Sequence, residues 1–295
     1  MKSMETVIGN LHFLPLTAFL TVGYQLLFFT ITALLRFDKV TDFAGCSNFV
    51  VLAIVTLTLK ASWHLRQIVL TLFVVIWGLR LGIFLLMRIL KWGEDRRLDK
   101  IRNNFGKLVF FWTFQAAWVW TVSLPLTIVN SSDKNPPVQA LDVIGWIMWF
   151  NGITIEVIAD HQKLLFKNSL ENNGKWCNVG IWKYSRHPNY FGEILLWWGV
   201  FMASTPVLNG VEWLVIIGPL FLTLLLLFIS GIPLLEKPAD KRYGASREYN
   251  VYKNTTSPLI PLPPALYGSL PAWFKVAFLF EFPMYSQKNR KDKSS

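Results

Sequence analysis

The chain has 295 residues, 53% of them hydrophobic, with a formal charge of +11 and a mean hydropathy of +0.39. That is too apolar for an ordinary soluble domain. It also argues against nucleic acid as the partner of the positive charge, because Lys and Arg gather in the cytosolic loops of membrane proteins. Cys46 and Cys177 form neither a metal spacing nor a disulfide framework. Backbone groups in lipid must be satisfied internally, so the expected fold class is an all-α polytopic membrane bundle. We read it as one domain over 1–295, with 231–295 as a covering tail.

The first apolar run, 14–35, is too long for the core of a signal peptide and has no clear cleavage site. Further spans are predicted at 47–60, 67–90, 108–129, 139–160, 190–204 and 211–231, about seven transmembrane helices in all. The second and sixth are short, which implies little tilt or a place inside the bundle. No internal repeat is evident. The loops at 91–107 and 161–189 are basic, the latter through Lys163, Lys167, Lys175, Lys183 and Arg186. They alternate with 131–139 and 204–212, which carry almost no positive charge. The C-terminus is therefore expected in the cytosol and the N-terminus on the other side.

Chemistry-bearing residues fall in three clusters. "WKYSRHPNYFGE", 182–193, stands at the threshold of the sixth span. Pro188 suits a helix start. Glu193 lies inside the helix and shares a face with Asn189. An ionisable group there faces a bundle interior or a wet cavity by default, and Arg186 and His187 lie about one turn earlier. In "FNGITIEVIADHQKLLFK", Asn151, Glu156, Asp160 and His161 punctuate the end of the fifth span, where His161 and Lys163 also read as a solvated helix end. After the last span come Glu236, Lys237, Lys241, Arg242, Tyr243, Arg247, Tyr249 and Tyr252. Basic groups among aromatic rings suit a phosphorylated nucleotide, and they equally suit anionic lipid. No Rossmann or P-loop glycine pattern is present. Further on, "PLIPLPP" reads as an extended segment. "LPAWFKVAFLFEFPMY" is too short and too broken by Pro to span. We expect it in the interface, with Trp273 and Tyr285 at headgroup depth. The final "RKDKSS" resembles a dilysine retrieval signal of the endoplasmic reticulum, and also reads as a solvated basic end.

"EVIADHQKLLFK", "GKWCNVGIWKYSRHPNYFGEILLWWG" and "LLEKPADKRYGASREYNVYKNTTSPLIP", with "WGLRLGIFLLMRILKWGEDRRLDKIR" upstream, resemble the DUF1295 branch of the steroid 5-alpha-reductase superfamily. The resemblance implies a membrane-embedded, seven-helix oxidoreductase. It would use NADPH to reduce a carbon–carbon double bond conjugated to a carbonyl, in a sterol-like or other lipid. It implies that Asp160, Asn189 and Glu193 line the cofactor pocket, with Lys175, Arg186, His187 and Tyr252 around it. Lys241, Arg242 and Arg247 would meet the adenosine phosphates. Steroid reductases polarise the ketone with a Glu and a Tyr from their amino-terminal half. The second span here has neither, so Tyr24 and Gln25 are the candidate catalytic substitutes. Two rivals remain at this stage. One is an S-adenosylmethionine-dependent membrane methyltransferase, which shares an "RHPxYxG" threshold but commonly has paired glutamates where this chain has Glu236-Lys237. The other is a non-enzymatic sterol-binding protein.

Overall fold

A computed structural model describes residues 13–35, 40–92 and 104–286. Most of the basic loop 91–107 and the final "RKDKSS" lie outside the described residues. Long apolar runs become long helices: α1 (Phe13–Leu35), α2 (Thr41–Lys60), α3 (Leu65–Trp92), α4 (Phe105–Ser131) and α5 (Ala140–Asn168). Next are α6 (Pro188–Ser204) and α7 (Ile217–Leu224), then the shorter α8 (Ile232–Tyr243), α9 (Arg247–Thr255), α10 (Pro264–Ser269) and α11 (Ala272–Phe278). Among the described residues the only β-type pairing is an isolated bridge between Ser185 and Ser257. Among the described residues six helical segments are long and apolar enough to cross a bilayer: α1 to α5 and the run Gly210–Tyr243. This is an all-α polytopic membrane protein. The predicted sixth span forms a helix, α6, but at 17 residues it is not among these six, which stand in place of the seven expected. The second is longer than expected, at 20 residues, because Thr41–Cys46 continue the helix toward its N-terminus.

The described chain falls into two compact units. One holds the residues up to Trp149 together with Trp197–Phe221. Its core is aromatic: the Phe49 ring lies 5.2 Å from Trp77, 5.1 Å from Trp118 and 5.2 Å from Trp197. Polar side chains tie its helices where lipid offers no competing partner. Asn130 of α4 donates to Thr56 of α2 at 2.9 Å and to Thr71 of α3 at 3.1 Å. Arg66 and Asp142 form a buried two-pronged pair at 2.6 and 2.7 Å. Apolar side chains cover the outside of α1, and Phe19 is 80% exposed.

The second unit holds Phe150–Leu196 and the residues from Leu222 onward. Here α5 and α6 cross at glycine. A Cβ on Gly152 would lie 2.6 Å from the Gly192 carbonyl, and one on Gly192 would lie 2.6 Å from the Gly152 carbonyl. The same crossing brings Glu156 of α5 against Gly192, one residue from Glu193. The run Gly210–Tyr243 is interrupted by a wide π turn, Leu225–Ile229, closed by Ser230 N–H donating to the Leu225 carbonyl at 2.9 Å. Such turns interrupt helices at sites under local constraint. Here the constraint is a tail residue: the Tyr285 hydroxyl donates to the Leu227 carbonyl at 2.8 Å. Tyr285 is wholly buried, in a core with Leu227, Ile232 and Leu259. This corrects its expected place at headgroup depth. Its hydroxyl has a protein partner, so the ring needs no contact with water. Trp273 is 66% exposed, as an interfacial residue would be.

Candidate functional site

The threshold of α6 is built around Arg186. Pro188 opens the helix at its first position, where the missing N–H costs nothing. The preceding strand-like residues lie along the tail: Arg186 N–H donates to the Ser257 carbonyl at 2.8 Å, and Leu262 N–H donates to the Tyr184 carbonyl at 3.0 Å. Arg186 is only 5% exposed. Its Nε donates to Glu236 at 3.1 Å, and Nη1 and Nη2 donate to the two Glu281 oxygens at 3.1 and 2.9 Å. Nη1 also reaches the carbonyls of Lys253 at 2.7 Å and Thr256 at 3.0 Å. Burial opposes the charge, but Glu236 and Glu281 outweigh it and hold the guanidinium above its ordinary value.

The network continues through its neighbours. His187 Nε2 lies 2.8 Å from Glu236, while Lys253 bridges Glu236 at 3.3 Å and Asp240 at 2.6 Å. The Tyr267 hydroxyl donates to Glu281. Burial pushes the His187 imidazole below its usual range despite the carboxylate beside it. A neutral ring donating Nε2–H to Glu236 keeps Nδ1 unprotonated, and among the described residues that buried Nδ1 has no hydrogen-bond partner.

One side of this network opens into a cavity of about 270 Å³. Its walls bring together Lys163, Lys167, Lys175 and Arg242 with Trp176, Tyr243 and Tyr252. Glu236 is the one carboxylate in that lining, and it is committed to Arg186 and Lys253. Trp176 packs edge-on against Tyr243 and Tyr249, at 5.7 and 5.3 Å between ring centres. The Tyr252 hydroxyl donates to the Trp182 carbonyl at 2.8 Å, and burial holds this phenol well above its usual range. Lys163 lies 4.2 Å over the Trp182 ring. A second cavity, of about 700 Å³, is lined by Lys241, Lys253, Lys275, Asp240, Glu281 and Tyr267 among others.

Of the sequence-predicted cofactor residues, Lys175, Arg186, His187, Arg242 and Tyr252 line the smaller cavity. Lys241 lines the larger one. Arg247 is exposed on the first turn of α9, and Asp160, Asn189 and Glu193 are half-buried and line neither cavity. Arg186 has all three nitrogens engaged within the protein, so it shapes the cavity wall and does not serve as a free phosphate donor. Tyr24 donates to Ser47 at 2.9 Å, and Gln25 donates to Asn48 at 2.9 Å. Glu281, Trp176 and Lys253 were missed by the sequence reading. Trp176, beside Lys175, and Lys253, beside Tyr252, lay inside quoted motifs and had a local signal; Glu281 had none.

Helical membrane segments and a basic, aromatic cavity beside a buried ion network define a polytopic membrane protein with a candidate site for an anionic ligand. The chain belongs to the DUF1295 family, whose members are described as proteins of unknown function and whose model matches residues 28–256. It is also similar to an uncharacterized protein of Schizosaccharomyces pombe, 23% identical over 199 residues, covering 57% of this chain. The match spans 55% of the length of that relative. No solved structure matches.

Proposed function

We propose that this protein is a membrane reductase that binds NADPH in the 270 Å³ cavity and acts on a carbonyl-conjugated double bond in a lipid. The reading joins the family to the steroid 5-alpha-reductase superfamily. It also places the basic loops toward the cytosol of the endoplasmic reticulum, where the cofactor enters. The observation that carries it is the cavity lining: five cations, of which Arg186 is paired within the wall, and several flat rings, with a single carboxylate already engaged. When bound, NADPH supplies a hydride to the carbon β to the carbonyl.

The residues present fit such a ligand. Lys167, Lys175 and Arg242 suit its phosphates. Trp176 and Tyr243 offer faces and edges to a base. The buried His187 Nδ1 offers an acceptor to an amide or hydroxyl donor. At about 270 Å³ the cavity is at the lower end for ligand sites and is sized for one nucleotide half. Arg186 and Glu236 form a buried ion pair in the cavity wall, while Lys167, Lys175 and Arg242 are exposed. The same lining disfavours S-adenosylmethionine, whose sulfonium would sit among five positive groups.

Titration of the detergent-purified protein, followed by tryptophan fluorescence, tests this. NADPH is expected to quench through Trp176 and Trp182, with a smaller change in Trp176→Phe. Binding of S-adenosylmethionine alone would establish the methyltransferase reading. Binding of neither would favour a non-enzymatic sterol-binding protein.

A further inference from the structure

The larger cavity of the second unit, about 700 Å³, falls within the range of about 300–1,000 Å³ usual for small ligands. It is built by residues between 240 and 286, on α8 to α11 and the turns beside them. Both carboxylates in its wall are committed. Asp240 accepts from Lys253 at 2.6 and 2.7 Å and from the Tyr249 hydroxyl at 2.9 Å. Glu281 accepts the Arg186 fork and the Tyr267 hydroxyl. Lys253 is held in turn by Asp240 and Glu236. Lys241 and Lys275 remain, and neither forms an ion pair among the described residues. The cavity therefore offers positive charge without a balancing acid, and its guest is an anion.

Lys275 is fixed by its backbone. Its carbonyl accepts from Leu279 N–H at 3.1 Å and from Glu281 N–H at 3.0 Å, with Phe280 in a left-handed turn between them at φ 60°. Its Nζ lies 4.5 Å from the centre of the Tyr267 ring, which is the one aromatic ring in the lining among the described residues. Tyr267 is buried, and the lysine stands over its face, so no ring is left for a nucleotide base. The smaller cavity, with Trp176 and Tyr243, differs in this respect. The chain around Lys275 is apolar. Trp273, Val276 and Phe278, on the same short helix, are exposed, and so is Leu266, beside Tyr267. Exposed rings and aliphatic side chains around a lysine suit the boundary between headgroups and acyl chains.

We propose that this cavity is the headgroup site of an anionic glycerophospholipid, with Lys241 and Lys275 on its phosphate and its acyl chains along Leu266, Trp273 and Phe278. A lipid answers both features: a phosphate for the two cations and chains for the exposed apolar side chains. A headgroup bearing hydroxyls, such as inositol, fits the rest of the lining, where the Asn250 and Asn254 amides offer donors and acceptors. A choline headgroup would bring a further cation to a positive wall. The site goes beyond the reductase reading and does not depend on it. Glu281 lies in the cavity wall and also holds Arg186, so a bound lipid would anchor the tail that closes the α6 threshold.

The test titrates the full-length protein in detergent with phosphatidylinositol carrying a dansyl group on one acyl chain, and follows energy transfer from tryptophan. The phosphatidylcholine form of the same probe is expected to bind more weakly. Lys241→Gln/Lys275→Gln should weaken phosphatidylinositol binding about 25-fold, at about fivefold for each lysine. Lys183→Gln/Lys237→Gln removes the same charge from exposed lysines that line neither cavity, and should change the affinity by less than about twofold. Equal binding of the two lipids by the wild type, or binding of neither, overturns the proposal whether or not the variants fold. Unchanged affinity in folded Lys241→Gln/Lys275→Gln overturns it, and so does an equal loss in both double variants, which would mark diffuse charge. Glycerophosphoinositol, the headgroup without chains, should compete only weakly. Competition as strong as that of the lipid would make this a site for soluble phosphates, and displacement of the lipid by NADPH would give the cavity to a nucleotide; either result overturns the lipid assignment.

Discussion

Replacing Arg186 by Lys keeps the charge and removes the fork. The guanidinium makes five hydrogen bonds: one to Glu236, two to Glu281 and one each to the carbonyls of Lys253 and Thr256. An ammonium has three donors at a single point and cannot reach acceptors spread around a planar fork. At least two bonds are lost, at about 1.5–3 kcal/mol for each one involving a charged group, so the expected loss is at least about 3 kcal/mol. At roughly 2–4 °C per kcal/mol this lowers the thermal midpoint by about 6–12 °C. The assay is intrinsic fluorescence during a thermal ramp in detergent, with exposed Arg242→Lys as the control, expected to shift by less than about 2 °C. A midpoint for Arg186→Lys within about 2 °C of wild type, or an equal drop in the control, would refute the argument that this side chain staples the tail to the α6 threshold.

Three further outcomes follow from the same structure. Gly152→Val should destabilise by about 1–3 kcal/mol, because the added atoms meet the Gly192 carbonyl and Leu196 N–H, which cannot move aside. Gly23→Ala, which meets nothing within 4 Å, should stabilise by up to about 1 kcal/mol, and thermal midpoints of the two variants check both signs. Tyr285→Phe leaves the Leu227 carbonyl without its hydroxyl donor and should cost about 1 kcal/mol, read by faster hydrogen exchange at the π turn. The His187 ring binds its proton more weakly folded than unfolded, so protonation favours the unfolded chain. Its contribution is complete above about pH 6.5 and is lost as the pH falls below that value. Unfolding midpoints between pH 7.5 and 5 should fall in the wild type, with a flatter profile in His187→Gln.

The spans were legible because apolar length is a local property: α1, α3 and α4 lie within a few residues of expectation, while α5 runs on to Asn168, past the expected end at 160. The threshold motif was also legible: Arg186 and His187 stood out as polar groups where a helix entering lipid needs none. Their partners were not. Glu281 follows Arg186 by 95 residues, within an apolar segment that reads as an interfacial patch. No spacing rule links the two. Tyr285 was misplaced for a related reason. A Tyr in a Pro-broken apolar stretch suits a headgroup, and only the π turn of the last span supplies its buried partner. Asn48 gave no signal as a single polar residue in an apolar run. Its place is set by residues on two other helices: Gln25 donates to it and Gln115 donates to Gln25.

The Arg186–Glu281 pair also sets an order of events during synthesis. The chain emerges from its N-terminus, so the guanidinium is made 95 residues before one of the two carboxylates that neutralise it. Until Glu281 leaves the ribosome, the α6 threshold carries a cation that has only Glu236 to offset it. The second unit is therefore completed by nearly the last described residues. A premature stop codon between α9 and Glu281 would yield a chain with every long apolar helix intact and its buried arginine short of an acid, a product recognisable to membrane quality control.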